Sequence, residues 1–227
     1  MDAKELAYDA QGLVTVVVQD RLTGEIRMLA HASEEAIRAT MESGEGHFWS
    51  RSRRALWKKG ETSGNVLRVH EVWADCDRDA VVYLVDPAGP SCHTGAQSCF
   101  FERALGGAEG RALPTLPRLE EALRARASSS ADRSYTRSLL DGGAAKINAK
   151  IVEEAGELAR AIEGESDERV VSEAADLAYH VLVGLQHRGV SVRAVLEELA
   201  RRFGTSGHAE KAGRSPRPAA GTERGSA

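Results

Sequence analysis

Cysteine is scarce in this chain: three residues in 227, at positions 76, 92 and 99, all in the N-terminal half. So few thiols, and an odd number of them, exclude a disulfide framework and suit a reducing compartment. A basic excess is also missing, with 30 Lys and Arg against 34 Asp and Glu for a net charge of −4. That argues against a dedicated nucleic-acid binder, because counterion release needs a broad basic surface. No apolar run approaches the roughly 20 residues needed to span a bilayer, so no membrane partner is expected. The opening Met1-Asp-Ala-Lys-Glu-Leu carries acids and lacks the apolar segment of a signal peptide. A cytoplasmic location is the expectation. Aromatic residues reach only 5%, whereas hydrophobic residues at 42% and charged residues at 28% are ordinary for a soluble globular protein. The length suits one large domain or two small ones.

The stretch Trp73-Ala-Asp-Cys-Asp-Arg-Asp-Ala80 lies between two β-like runs, Val66 to Val72 and Val81 to Val85. If the strand runs through, Asp75, Asp77 and Asp79 share one face and Cys76 points to the other. Three carboxylates in a row repel one another; they suit a hard cation such as Mg²⁺, while a thiolate suits Zn²⁺. Cys76, Cys92 and Cys99 without a fourth protein ligand describe a catalytic zinc site with one position open to water. An exposed acidic strand face with three separate thiols is the alternative. His93, beside Cys92, is a candidate general acid or base.

Residues 1–10 read as a short helix. Leu13 to Val18 and Ile26 to Leu29, joined through Thr23-Gly24, read as a β-hairpin. Ser33 caps an amphipathic helix ending near Gly44 or Gly46. From His47 to Asn65 the chain reads as a basic loop with Arg51, Arg53, Arg54, Lys58 and Lys59 among Ser52, Thr62, Ser63, Gly60 and Gly64. Such a loop can cradle a phosphate, and Trp49 and Trp57 offer faces to a base. A solvated loop with two core tryptophans would also fit. Gly106 to Gly110, with Pro114 and Pro117, marks a boundary. Beyond it the composition turns helical, with helices read over Leu116–Leu123, Tyr135–Leu140, Ala144–Glu163 and Val170–Gln186, and a last one capped by Ser191. The core faces expected are Ile147, Ile151, Ala155, Leu158 and Ile162; Ala174, Leu177, Val181 and Leu185; and Val192, Val195, Leu199 and Phe203. Ser128 to Asp132 reads as a loop. The divisions are residues 1–108, mainly β (α+β); a linker, 109–115; an all-α helical bundle, 116–204; and a disordered tail, 205–227.

Lys150, Glu153, Glu154 and Glu157 fall on one stripe of their helix, and Glu173, Asp176 and His180 on one stripe of the next. Acids at these spacings repel by a few tenths of a kcal/mol per pair, a poor choice beside a core unless something neutralises them. Two facing acidic pairs can share Mg²⁺ and hold a polyphosphate through it. A solvated acidic face is the alternative.

Taken together, these motifs resemble a known fusion. Val14–Asp20, Ser50–Arg53, Leu56–Gly64, Asp75–Ala80 and Cys92-His93 with Cys99 are similar to phosphoribosyl-AMP cyclohydrolase. Ser134-Tyr-Thr, Lys146-Ile, Lys150, Glu153–Glu157 and Glu173–His180 are similar to phosphoribosyl-ATP pyrophosphohydrolase. The resemblance implies the bifunctional enzyme family of histidine biosynthesis. Its helical domain would cleave phosphoribosyl-ATP to phosphoribosyl-AMP and pyrophosphate with Mg²⁺ at Glu154, Glu157, Glu173 and Asp176. Its first domain would open the adenine ring of phosphoribosyl-AMP with zinc-activated water. It implies zinc on Cys76, Cys92 and Cys99, magnesium on Asp75, Asp77 and Asp79, and catalytic roles for His93 and for Glu153 or Glu154. Substrate contacts would come from Arg51, Ser52, Arg53, Trp57, Lys59, Gly60, Glu61, Thr62, Ser63 and Gly64, and from Lys146, Lys150 and His180. It further implies a homodimer whose zinc site lies at the interface. Two departures bear on the pocket: Ala30-His31-Ala32-Ser33 stands where the family usually has Ala-Tyr-Met-Asn, and Leu67 stands where a Gln is common. The competing readings are a pyrophosphohydrolase with only its helical part active, and a zinc-stabilised nucleic-acid-binding module.

Overall fold

A computed structural model describes residues 1–105, 112–128 and 135–203. The expected boundary at 106–110, all but the first residue of the loop at 128–132, Ser134 and the tail from 205 lie outside the described residues.

The N-terminal part is a six-stranded sheet built from β1 (Leu13–Asp20), β2 (Ile26–Ser33), β3 (His47–Ser50), β4 (Ala55–Lys58), β5 (Leu67–Ala74) and β6 (Ala80–Pro87), in the order β4-β3-β2-β1-β6-β5. Only β1 and β6 run parallel; the other neighbours are antiparallel. Alternation drives the core: Val14, Val16 and Val18 of β1 pack with Met28, Ala32, Phe48, Leu67, Val81, Tyr83 and Val85 against one helix, α1 (Glu34–Ser43). The sheet therefore buries one face, as a mainly antiparallel sheet can. The Ser33 side chain accepts from the backbone N–H of Ala36, and Gly44 ends the helix at φ +68°. A Ser33→Ala variant should lose about 1 kcal/mol of stability, read from the denaturant midpoint at unchanged slope.

The helical part comprises α2 (Thr115–Ser128), α3 (Tyr135–Asp141), α4 (Gly143–Gly164), α5 (Asp167–His187) and α6 (Val192–Arg202). Leu123, Leu139, Ile147, Leu182, Val183 and Val192 form its core. Among the described residues no helix is long and apolar enough to cross a membrane. Arg193 at the start of α6 reaches Asp20 at the end of β1 (2.6 Å) and Asp86 in β6 (2.8 Å), tying the helices to the sheet.

Four expectations need correction. Residues 1–10 hold only a single 3-10 turn, Ala3–Glu5, because the apolar spacing there is too short to nucleate a helix. The strand does not run through Asp75–Asp79: β5 stops at Ala74 and β6 starts at Ala80, with Arg78 left-handed at φ +65° between them. The Asp75 carboxylate accepts from the Ala80 N–H at 3.2 Å and so caps a turn in place of a continuous strand. The basic segment is partly a β-hairpin, β3–β4, since Phe48, Leu56 and Trp57 supply apolar residues for pairing. The helical core faces are also rotated from those expected. Ile147 and Ile151 do pack inward, but Glu154, Ala161, Glu173 and His180 are buried where Ala155, Ile162 and Ala174 were expected. Val152, Ile162 and Val171 are 72%, 66% and 68% exposed, and Val195, Leu199 and Phe203 of the last helix face outward too. An apolar stripe counted from sequence does not say which of two apolar-edged faces a single chain covers.

Candidate active sites

Two chemically different cavities stand out. The first, of about 490 Å³, lies where the β3–β4 hairpin and the following turn meet the segment after β6. It is lined by Arg53, Trp57, Lys58, Lys59, Gly60, Glu61, Thr62, Ser63, Cys92, His93 and Cys99, among others. Gly60 is at φ +86°, and a Cβ there would collide with the backbone of Asn65 and Val66, so only glycine lets this turn close beside the cavity. Cys92 is buried and its sulfur accepts from the Thr94 hydroxyl at 3.1 Å. Thr94's side-chain and backbone donors hold the Cys92 thiol below its ordinary pKa, favouring thiolate. Partial desolvation, and then the neighbouring Cys92, push Cys99 the other way. The His93 ring nitrogen Nδ1 lies 3.9 Å from the Cys92 sulfur. Desolvation lowers the Lys59 pKa, and its ammonium donates to the Asn65 carbonyl at 3.2 Å.

Cys76 is elsewhere. It lies on the exposed β5–β6 turn, lining a separate cavity of about 830 Å³ with Glu5, Glu71, Trp73, Asp75 and Arg78. The carboxylates of Asp75, Asp77 and Asp79 come within 4.8 Å of one another there. Repulsion from Asp77, and then from Asp75, raises the Asp79 pKa, a cluster that a cation would relieve. One chain thus supplies two thiols beside the basic residues, and places the third thiol with the acids. The three thiols do not form a set within 4.8 Å among the described residues. Thiolates fit zinc and the oxygen cluster fits magnesium, but two thiols alone fall short of a zinc site's usual three or four. Arg51 lines a smaller cavity with His31, Trp49 and Trp57; Ser52 and Gly64 line none of these three.

The second cavity, about 860 Å³, sits between α4 and α5 and is lined by Lys150, Glu153, Glu154, Glu157, Arg169, Glu173, Asp176 and His180, with Arg126, Tyr135, Thr136 and Tyr179. Helical spacing explains the cluster, since Glu154 and Glu157 share one face of α4, and Glu173, Asp176 and His180 one face of α5. Glu154, Glu157 and Glu173 carboxylates lie within 4.8 Å of one another, the first and last of them buried. Desolvation raises the Glu173 pKa; Arg169 opposes that, pairing with its carboxylate, while Glu157 adds to it. The Lys150 ammonium bridges Glu154 at 2.7 Å and Glu153 at 2.9 Å, and hydrogen bonds to these two acids raise its pKa. Buried oxygen donors of this kind fit Mg²⁺. The His180 Nδ1 atom sits 2.8 Å from the Asp176 carbonyl, which can only accept. Its Nδ1–H therefore points there, and in the neutral ring Nε2 is left to accept from the Tyr135 hydroxyl at 2.9 Å. Lys146 does not join the cavity; its ammonium donates to the Ser138 carbonyl at 3.2 Å.

Tyr135, Thr136 and Tyr179, which the motifs Ser134-Tyr-Thr and Glu173–His180 contain without a role assigned to them, also line this cavity, as do Arg126 and Arg169, which no motif includes. Arg169 had a signal, standing four residues before Glu173. Arg126 had none, because its helix is brought alongside only by tertiary packing.

Comparison with known proteins agrees with this division. The phosphoribosyl-AMP cyclohydrolase family model matches residues 28–101, and the phosphoribosyl-ATP pyrophosphohydrolase model matches residues 116–203. The histidine biosynthesis bifunctional protein HisIE of Aquifex aeolicus is 43% identical over 88% of this chain and 98% of its own length. Proteins of the same name from Wolinella succinogenes and Thermus thermophilus are 40% and 42% identical, over 90% and 89% of this chain and 93% and 94% of their own lengths. With both cavities inside matched segments and similarity running nearly end to end, the chain belongs to the bifunctional HisIE family of histidine biosynthesis, a hydrolase joining phosphoribosyl-AMP cyclohydrolase to phosphoribosyl-ATP pyrophosphohydrolase.

Proposed function

We propose that the helical unit hydrolyses phosphoribosyl-ATP to phosphoribosyl-AMP and pyrophosphate at the acidic cavity, using Mg²⁺. The N-terminal unit then adds water to C6 of the adenine of phosphoribosyl-AMP and breaks its N1–C6 bond, using zinc. The observation that supports this assignment is the different chemistry of the cavities: two thiols and three cations with a single acid, Glu61, in one, and five carboxylates around three cations in the other. When bound, zinc supplies a Lewis acid that brings the pKa of water towards neutrality, and Mg²⁺ supplies charge to offset the leaving pyrophosphate. In the N-terminal unit Arg53, Lys58 and Lys59 hold phosphate, Trp57 faces the base, and His93 carries a proton to the departing ring nitrogen. In the helical unit Glu154, Glu157, Glu173 and Asp176 are the metal-side carboxylates. Glu153, more exposed than Glu154, orients water, while Lys150 and His180 face the substrate. The units divide as residues 1–108 and 116–204, and the enzyme works in the cytoplasm.

The active form is a homodimer in this reading. Cys92 and Cys99 take their third thiol, Cys76, from a second copy of the chain, which also brings Asp75, Asp77 and Asp79 with their magnesium. The outward apolar residues support the assembly: Val152, Ala155, Ala159 and Ile162 on α4 repeat the spacing of Val171, Ala174, Ala178 and Val181 on α5, and all eight are exposed in the single chain. Two such stripes suit pairing with a second copy.

Chelator-stripped protein should turn over neither nucleotide. Adding Mg²⁺ should restore pyrophosphate release from phosphoribosyl-ATP, and adding Zn²⁺ as well should restore the ring-opened product. Pyrophosphate without ring-opened product from the doubly loaded protein would overturn the two-step reading.

A further inference from the structure

Arg27 breaks the apolar alternation of β2: it is only 4% exposed, next in sequence to Met28, which lines the cavity that holds Cys92 and Cys99. Its guanidinium pairs with buried Glu25 at 2.9 Å. Its other bonds go to a single loop, on both sides of the Cys92 turn. Nε donates to the Ser91 hydroxyl at 3.2 Å, and Nη2 donates to the Gly89 carbonyl and to Gln97 Oε1, each at 3.0 Å. The Arg27 carbonyl accepts from the Cys99 N–H at 2.9 Å, and next to it the Ile26 carbonyl accepts from the Ser98 hydroxyl at 2.7 Å. Gly89 and Ser91 precede Cys92; Gln97, Ser98 and Cys99 close the loop. Backbone bonds from Ser91 to Gln97 and from Cys92 to Ala96 complete it.

A buried ion pair is a weak way to add stability, since an apolar pair of similar volume often serves as well. A planar fork that reaches both limbs of one loop at fixed angles has a different use. We propose that Arg27 is a positioning residue that clamps the segment from Gly89 to Cys99 so that Cys92 and Cys99 are held at ligand spacing before any metal arrives. The proposal rests on the reading of these two thiols as zinc ligands. It assigns Arg27 no contact with substrate. Outer groups that orient metal ligands typically change metal affinity 10- to 100-fold when removed.

The test uses the full-length protein with Arg27→Lys, Arg27→Met and Gln97→Ala. Zinc affinity is read by competition with a chromophoric chelator. In a Cys76→Ala background, the metal-free protein is also titrated with a trivalent arsenical, which needs two thiols close together. Both Arg27 variants should lose at least about tenfold in each measurement, with pyrophosphate release from phosphoribosyl-ATP within twofold of the parent as the mark of a folded chain. Lysine should not rescue, because a single ammonium can keep Glu25 but cannot span both limbs. Gln97→Ala, an exposed change that leaves the guanidinium covered, should give a smaller loss in the same direction and decides the matter if the Arg27 variants do not fold. Zinc affinity and arsenical capture both within twofold of the parent would overturn the clamp. A parent that captures the arsenical but binds no zinc would sink the zinc reading, while loss of capture in the variants would still support the clamp.

Discussion

Protein carrying Cys76→Ala and protein carrying Cys92→Ala should each fail to open the adenine ring, yet a subunit-exchanged mixture of the two should recover about a quarter of the wild-type rate. The expectation follows from where one chain puts its sulfurs. Cys76 stands on the β5–β6 turn among acids, and Cys92 with Cys99 stands in the basic cavity lined by Lys58, Lys59 and Arg53. If a site draws Cys76 from one copy and the other two thiols from its mate, a mixed dimer has one site with both lesions and one with neither. Random exchange makes about half the dimers mixed, and half their sites intact, hence the quarter. Removing one of three zinc ligands should cost each parent variant well beyond the 10- to 100-fold typical of outer groups. Pyrophosphate release is the internal control and should stay within about twofold in all three samples, because its carboxylates lie on α4 and α5. A mixture no more active than its components would sink the shared-site reading, as would Cys76→Ala protein that still opens the ring.

Much of this arrangement was legible from residue order. The β1–β2 hairpin, the Ser33 cap of α1 and its stop at one of two glycines, 44 or 46, and the long helices α4 and α5 all follow from periodicity and local punctuation. The gathering of Glu154, Glu157 and Glu173 follows from helical spacing on consecutive antiparallel helices. Less was legible wherever two faces of an element compete. On α4 the expected stripe of residues 147, 151, 155, 158 and 162 spans two faces: Ile147 and Ile151 pack in the cluster with Leu123, Leu139 and Val183, while Ala155 and Ile162 are exposed. Arg27 was invisible for a related reason. A charged residue within a strand reads as solvent-facing until a loop some 60 residues further along the chain is seen to close over it. The apartness of Cys76 from Cys92 and Cys99 is likewise a tertiary fact, since the three look equivalent in a linear count.

Glu154→Gln should cut pyrophosphate release by about 10²–10³ while leaving the ring opening of supplied phosphoribosyl-AMP within about twofold of wild type. Glu154 is the acid for which shape and charge separate most cleanly. It is buried, lies 2.7 Å from the Lys150 ammonium, and shares its space with Glu157 and Glu173. Glutamine keeps its volume and one oxygen to accept from Lys150, so the helix pair should hold. What is lost is one of three negative charges converging on the place proposed for Mg²⁺, so the metal concentration needed for half-maximal rate should also rise. The effect on the metal-free fold should run the opposite way. Three carboxylates this close repel, and burial already pushes Glu173 towards its neutral form. Removing one charge should therefore leave the thermal midpoint of the stripped protein unchanged or higher, and Mg²⁺ should raise it less than it raises that of wild type. Activity and stability then move apart, as they do when a site keeps charges for chemistry and not for folding. A lower midpoint with equal loss of both activities would mean that Glu154 serves the fold alone, and unchanged pyrophosphate release at limiting Mg²⁺ would remove it from the metal site.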